Sequence, residues 1–573
     1  MANSIALAFA CLAIAGVFFR FTAIRKNAKI AESTGFKVFY SPVYMNETWW
    51  LFLHKFIVPF LELLPSPLTR PWLKTAQRWR LWHYSYEPFE EAGSDTIVMA
   101  TPSVNMITTC DPVVINQIVS QPRKVQQDPK IMKLLAIWGD NITSTDGEEW
   151  KHHRRVVNAG FTPAIHAMVW EEASEQAQTL IDHWATLGSV VPVVKIWMSK
   201  LALHVVSATF FHKKLTWKEV DHVPTGHQMG FEQALNTVIR HLQPIALLKA
   251  RLKWLPFKTT QEAYTAFSEW TAYMKELRQI VLDRLDETAK KPNKSLLESI
   301  VVAGATGEAK DALPEDHALG NLFLTALAGH ETTANTMAFT ILLLAVYPEW
   351  QRRVQEQLDQ QFDGRERLQW SFDQDYQALQ KGPVWAVLKE SMRLYNVVQH
   401  LYRKTVAPTT LLDSQGVAHE VPAGTLCQFN LGAIWRNPNR WTSRTATDKR
   451  REKMRNCPAL DFDPERWLSN SDLVNDQDLH VPRFFPFGQG PRQCPGERFA
   501  MVEMTSVFAT VYKNYSVELV VSQEKLKACG GDKEAAWESA REGAIRTLSE
   551  DIVSNINLEL WKELPIQIVK RHG

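Results

Sequence analysis

Cysteine is scarce in this chain, with six among 573 residues at Cys11, Cys110, Cys427, Cys457, Cys494 and Cys529, and no two are spaced as Cys-x-x-Cys. That spacing excludes a zinc ribbon and a thioredoxin-like redox site. Six is an even number, but at about one cysteine per hundred residues a disulfide scaffold is a poor reading and a reducing, cytosol-facing compartment the better one. Neither sign of charge is in excess. Sixty-four Lys and Arg stand against 62 Asp and Glu, a formal charge of +2, so nothing points to a nucleic-acid partner or to a disordered polyelectrolyte. Charge is missing altogether from Met1 to Phe19. What the chain holds in quantity is aromatic side chains, 21 Trp and 27 Phe beside 12 Tyr, which suits a large apolar interior and membrane-interface contacts. Its 45% hydrophobic and 22% charged residues are a globular composition, and its length allows three or four domains or one very large one.

The uncharged run reads as a membrane anchor. Nineteen helical residues reach about 28 Å, against a hydrocarbon core of about 30 Å. Arg20, Arg25, Lys26 and Lys29 follow at once, and the positive-inside rule keeps the rest of the chain in the cytoplasm. A cleaved secretory signal is the competing reading, but its charges come first and small residues mark its exit, where this chain has Phe18 and Phe19. A second apolar stretch, Trp49 to Leu64, is broken by His54, Lys55, Pro59 and Glu62 and fits an interfacial helix or a short helix packed on the body. Pro65, Pro67 and Pro71 mark a stiff connector. The expected division is an anchor over 1–24, an interfacial and proline-rich connector over 25–75, and the main body over 76–573.

From Leu319 to Val346 the chain is apolar almost all round a helix, which predicts a buried helix ended by Tyr347 and Pro348. In its middle lies a polar knot, Ala328, Gly329, His330, Glu331, Thr332, Thr333. His330 and Glu331 open like the HExxH zinc motif, but Ala334 stands where the second histidine is needed. A membrane span is disfavoured by adjacent His and Glu at mid-depth. There remains a core helix passing over a buried cofactor. In it Gly329 lets another group approach, and the Thr332 hydroxyl turns back to a carbonyl one turn earlier, opening the helix locally. A carboxylate and an alcohol side by side are the parts of a proton relay.

Near the carboxyl end, Phe485 to Ala500 contains the glycines and prolines of a tight loop, leading into an amphipathic helix from Arg498 to Val507. Cys494, just ahead of that helix and near Arg492, is expected to favour its thiolate, as a nucleophile or as a metal ligand. A nucleophile wants a histidine close by in the fold, whereas a thiolate ligand to a heme iron needs only this loop. An incidental cysteine in a glycine-rich turn is the bland alternative. Dinucleotide binding fits poorly, because Gly488 and Gly490 are followed by Pro491 and Gln493, with no third glycine in register.

Phe487 to Gly496 fills every fixed position of FxxGxRxCxG, the heme-binding signature of the cytochrome P-450 family, which this chain resembles. Three further family signatures occur in the family's order: Ala328 to Thr333 resembles the oxygen-groove motif, Glu390 to Arg393 the ExxR pair, and Phe462 to Trp467 the PERF/PERW box. Trp150 with Arg154 matches WxxxR. The resemblance covers roughly residues 76–573 and is to membrane-anchored, eukaryotic microsomal members of fungal type. It implies a mainly α fold with a small β-sheet subdomain and heme b buried between the long central helix and the Cys-bearing loop. Cys494 is then the axial iron ligand, shielded by Phe487 in a loop shaped by Gly488, Gly490 and Gly496. Trp150, Arg154, Arg403 and Arg492 are donors to the propionates. Glu390, Arg393 and Arg466 form a structural charge triad. Glu331 and Thr332 deliver two protons.

The activity implied is insertion of one oxygen atom from dioxygen into a lipophilic small molecule, in secondary-metabolite biosynthesis. Electrons come from NADPH through a membrane-bound reductase docked near Lys151, Arg154, Arg155 and Arg492, at the endoplasmic reticulum membrane. Two alternatives stand beside it. An isomerase or dehydratase of the same fold tends to lose the threonine relay, and Thr332 is present; a heme electron-transfer or sensor protein performs no chemistry. The chain departs from the family's pattern in three places: Asn396 and Val397 stand where prolines are common, Thr445 to Pro458 is a charged insertion, and Lys533 to Asn557 is a polar, helix-prone extension. Glycosylation triplets at Asn46, Asn141, Asn293 and Asn514 are expected to go unused if the body faces the cytosol.

Overall fold

The computed structural model describes residues 2–69, 72–186, 188, 190–215, 217, 223–291, 293–306, 313–441, 460–468, 475–476, 481–482, 484–554 and 556–571. The charged insertion at 445–458 lies outside them. The chain forms two compact units rather than three or four domains. Unit one comprises Met1–Gln127, Met392–Gln493 and Ile552–Glu559; unit two comprises Asp128–Ser391, Cys494–Asp551 and Leu560–Gly573.

Unit one begins with α1 (Ala2–Glu32), which runs past the uncharged segment because no proline occurs before Pro42. Its second half is tied down: Arg20 donates to the Pro42 carbonyl at 2.7 Å and to Glu47 Oε2 at 2.8 Å. Asn27 Nδ2 donates to Thr101 O at 2.7 Å, and Asn105 Nδ2 returns a bond to Asn27 O at 2.9 Å. Helix α2 (Thr48–Leu61) buries every fourth residue, Trp50, His54 and Val58, and leaves Phe52, Phe56 and Phe60 exposed. One face therefore packs on the unit while the other stays open to an interface.

The sheet of unit one has six strands, β1 (Lys37–Tyr40), β2 (Thr96–Ala100), β3 (Asn105–Thr109), β4 (Val125–Gln126), β5 (His400–Thr405) and β6 (Leu426–Asn430), in the order β1-β2-β3-β6-β5-β4. Strand β1 pairs parallel with β2, so part of the stretch expected to be a connector is built into the sheet. Strands β2, β3 and β6 are buried at every residue, as strands covered on both faces must be. The register sets Arg403 opposite Cys427.

Unit two is helical: α3 (Gly147–Asn158), α4 (Pro163–Thr186), α5 (Val194–Phe211), α6 (Lys258–Leu282), α7 (Leu296–Thr306), α8 (Glu315–Val346), α9 (Pro383–Leu394, whose last turn belongs to unit one), α10 (Glu497–Asn514) and α11 (Lys533–Glu550). Helix α8 starts four residues before the apolar run, with Glu315 and Asp316 in its first turn complementing the helix dipole. Where it starts, the chain at Gly139 crosses it so closely that a Cβ on Gly320 would lie 2.4 Å from the Gly139 carbonyl oxygen. Helix α5 is apolar and long enough to span a bilayer, but two thirds of it is buried and it packs along α8 as a core helix. Helix α10 is not amphipathic: Met501 to Tyr512 are all buried, because α4 and other helices of unit two cover it.

The helix-prone extension folds as α11, capped by the Asp532 carboxylate, which accepts from the N–H groups of Glu534 and Ala535. Arg541 on α11 donates Nε–H to the Val346 carbonyl at 2.9 Å, satisfying an orphan acceptor at the end of α8. Asn141 is fully buried and hydrogen-bonded, which closes its triplet to glycosylation in the folded chain.

Candidate active site

Between Ala318 and Val346, only Thr325, Ala328, Gly329, Glu331 and Thr332 retain surface, and Ala328 is exposed. Thr325, Ala328, Gly329 and Thr332 follow i, i+3, i+4, i+7 spacing and form one stripe on a helix that is otherwise sealed. The Thr332 hydroxyl donates to the Ala328 carbonyl at 2.8 Å. This bond does not open the helix, which runs unbroken through the site. Gly329 has a different use from the one expected. A Cβ there would sit 3.2 Å from Val206 Cγ2, so the glycine admits helix α5, and Ala328 is the residue that faces open space.

Burial pushes the Glu331 carboxyl up, but a hydrogen bond from His330, the charges of His330 and Lys195, and a bond from Ser199 outweigh it and hold the group below its ordinary value. His330 gives its Nδ1–H to the Ala326 carbonyl at 2.6 Å and sets Nε2 3.4 Å from Glu331 Oε1. Lys195 and Ser199 are four apart on α5, one face of the helix packed along α8. Spacing within the motif gives no sign of either, since both lie more than 130 residues upstream of Glu331.

Cys494 is exposed, yet protein surrounds its thiol closely enough for desolvation to push its pKa up, against the lowering effects of the Gly496 N–H bond and the Arg154 charge. The expected preference for the thiolate is thus not met by the protein alone: lost hydration outweighs the local donors. Gly496 contributes its N–H, since a Cβ there would make only ordinary contact with Cys494 Sγ and the Phe161 ring at 3.8 Å. Trp150 and Arg154, four apart on α3, share a face, and Arg154 is half-buried near Cys494.

In unit one, Gly488 and Gly490 adopt left-handed φ of 76° and 72°, and a Cβ on Gly490 would press to 3.3 Å from the Val119 carbonyl oxygen. Phe487 is partly exposed in the same loop, and Arg492 closes the turn Gly490–Arg492. Arg403 on β5 is buried and donates to Gln127 Oε1 at 3.0 Å and Tyr402 O at 2.7 Å. Arg393 donates to the carbonyls of Trp435 at 2.7 Å and Asp461 at 3.0 Å, with its guanidinium over the Trp441 ring. Glu390, three residues before it on α9, and Arg466 are fully buried, and Arg466 lies 3.9 Å from Asp463 Oδ2.

A family-wide sequence profile for cytochrome P-450 matches residues 65–532. The chain belongs to the cytochrome P-450 family. Among curated proteins it is similar to a cytochrome P-450 monooxygenase of Arthrobotrys oligospora, 27% identical over 95% of each chain. It is also similar to a cytochrome P-450 monooxygenase of the phomenoic acid biosynthesis cluster of Leptosphaeria maculans, 24% identical, covering 91% of this chain and 93% of that protein. Among solved structures, a cytochrome P-450 heme domain superposes with a TM-score of 0.64 at 16% identity, covering 94% of this chain and 98% of the other. That likeness confirms the fold, helical with small sheets.

Membership in the P-450 family brings heme as the cofactor, and the residues present fit it. An exposed thiol closely surrounded by protein suits an iron ligand, and the exposed Ala328 on an otherwise sealed stretch of helix suits the flat face of a macrocycle.

Proposed function

We propose that this P-450 is a heme-thiolate monooxygenase that inserts one oxygen atom into a lipophilic small molecule of secondary metabolism. The observation that carries it is a carboxylate and an alcohol at neighbouring positions of α8: Glu331, held below its ordinary pKa, and Thr332, whose hydroxyl lies on the accessible stripe. An isomerase or dehydratase has no use for such a relay, and neither has an electron-transfer or sensor protein.

Cys494 would hold the heme iron, with Phe487 as the candidate shield of its sulfur from water and Trp150, Arg154, Arg403 and Arg492 as candidate propionate donors. The bound heme supplies dioxygen activation and oxygen transfer to the substrate. Thr332 donates its O–H hydrogen bond to the Ala328 carbonyl at rest, so its oxygen presents lone pairs to the stripe and can accept a hydrogen bond there. Glu331, held ionised by His330, Lys195 and Ser199, takes up a proton from solvent and passes it toward Thr332. Glu390, Arg393 and Arg466 hold the surrounding structure. The chain's first helix anchors it to the endoplasmic reticulum membrane, and NADPH supplies electrons through a membrane-bound reductase that meets Lys151, Arg154, Arg155 and Arg492. The cluster named for the Leptosphaeria relative supports a place in specialised metabolism.

The test is the carbon-monoxide difference spectrum of the reduced full-length protein, followed by turnover with NADPH, a reductase and candidate precursors. Thiolate-type absorption and oxygenated product masses are expected. Absence of the thiolate band overturns the ligand assignment, and product formed without NADPH favours the isomerase.

A further inference from the structure

A cavity of about 480 Å³ opens in unit two between the end of α5, the second half of α6 and the start of α7, and no residue assigned to the heme site lines it. Its floor is apolar: Phe211, Val281 and Leu297 are buried within it, while Ile280 presents 56% of its surface at its edge. Its wall is cationic. Helix α5 stops at His212, a non-glycine residue with φ of 55°, in a left-handed conformation unfavourable by roughly 1–2 kcal/mol. That turn brings the Lys213 N–H back to the Ser207 carbonyl at 2.9 Å and lays the ammonium 4.6 Å from both the Phe231 and Tyr273 rings. Among the described residues, the ammonium makes no hydrogen bond or ion pair, and neither does the guanidinium of Arg284.

The two carboxylates in the lining are already engaged. Glu276 meets His227 Nε2 at 3.2 Å, and Glu298 accepts from Lys291 Nζ at 2.6 Å and Ser295 N–H at 2.8 Å. Two cations without a close ion pair among the described residues thus stand over an apolar floor, and desolvation pushes the Lys213 pKa down by more than the charge of Glu276 in the same lining restores. Aromatic faces offset part of the lost hydration of Lys213, but an anion would offset more. The volume is that of a small-molecule site.

We propose that this cavity binds an amphipathic organic acid, with its carboxylate at Lys213 and Arg284 and its aliphatic body along Leu277, Ile280 and Leu297. The strained turn at His212 is the device that turns Lys213 against the rings and into the lining.

The test uses full-length, heme-loaded protein and a decanoic acid carrying a diazirine on its tail, with crosslinks mapped by peptide mass spectrometry; no step depends on turnover. Saturable labelling between residues 277 and 297, displaced by decanoate but not by decanol, decylammonium or inorganic phosphate, is expected. Lys213→Glu and Arg284→Glu should each lower it about tenfold, with the carbon-monoxide difference spectrum unchanged. Arg284 is exposed, so its substitution leaves folding intact even if Lys213→Glu does not. Labelling that fails to saturate, that decanol or phosphate displaces as well as decanoate does, or that survives Arg284→Glu overturns the proposal.

Discussion

Polar side chains lie deep in both units, in opposite conditions. In unit one, Arg393 and Arg466 have 0% and 1% of their surface exposed, and Arg393 is committed to two main-chain carbonyls and a tryptophan ring. In unit two, the polar centre of α8 keeps surface at Ala328, Glu331 and Thr332 although the turns on either side are sealed, and Cys494 remains exposed. The difference separates two uses of buried polarity. A group whose donors are consumed by backbone acceptors holds the chain in place, whereas a group with surface left over is placed to act on something that arrives. Glu503 on α10 fits neither use: it is 0% exposed, and neither carboxyl oxygen has a hydrogen-bond partner among the described residues.

Four substitutions would break or sharpen this contrast. Arg393→Ala should have the largest effect, stranding buried carbonyls and costing about 3–5 kcal/mol, read as loss of soluble protein and of the unfolding transition. An Arg393→Ala protein that folds normally would end the structural half of the comparison. Cys494→Ser comes next, with product formation and the thiolate-type difference spectrum abolished while the unfolding midpoint of the apoprotein is unchanged. Thr332→Ala should leave fold and spectrum intact but lower the ratio of product to NADPH consumed, by roughly a hundredfold if the full relay term is lost; an unchanged ratio would remove Thr332 from the chemistry.

The smallest effect is expected at Glu503, whose folded pKa is raised by burial well above the unfolded value. The folded state therefore binds the proton more tightly, and stability falls as pH rises through and beyond the unfolded pKa. Glu503→Gln should raise the denaturant midpoint at about pH 8 and progressively less toward about pH 5.5. A pH-independent change would show that Glu503 has a partner in solution.

Features with local causes were legible in the sequence. Apolar periodicity and Pro348 locate the end of α8, and the glycines and prolines around Cys494 locate the loop, because each acts within a few residues of itself. Features set by distant chain were not. The helix amino terminus after Cys494 argues for a thiolate, yet desolvation by surrounding protein sets the direction. Gly329 reads as room for a cofactor, yet Val206 of α5 occupies that room. Lys195 and Ser199 act on Glu331 from a separate helix, and β1 joins the sheet by pairing with a strand more than 50 residues later. No periodicity or motif records such pairings.

Helix α1 has a mechanical consequence. Its uncharged segment continues without a break to Glu32, where Asn27 is bonded to Thr101 and Asn105 beside the sheet. A segment embedded in a bilayer would then be joined to unit one by a stiff arm rather than a slack tether. Its tilt in the lipid would set the angle at which unit one meets the surface, so a change in bilayer thickness would reorient that unit rather than merely raise or lower it.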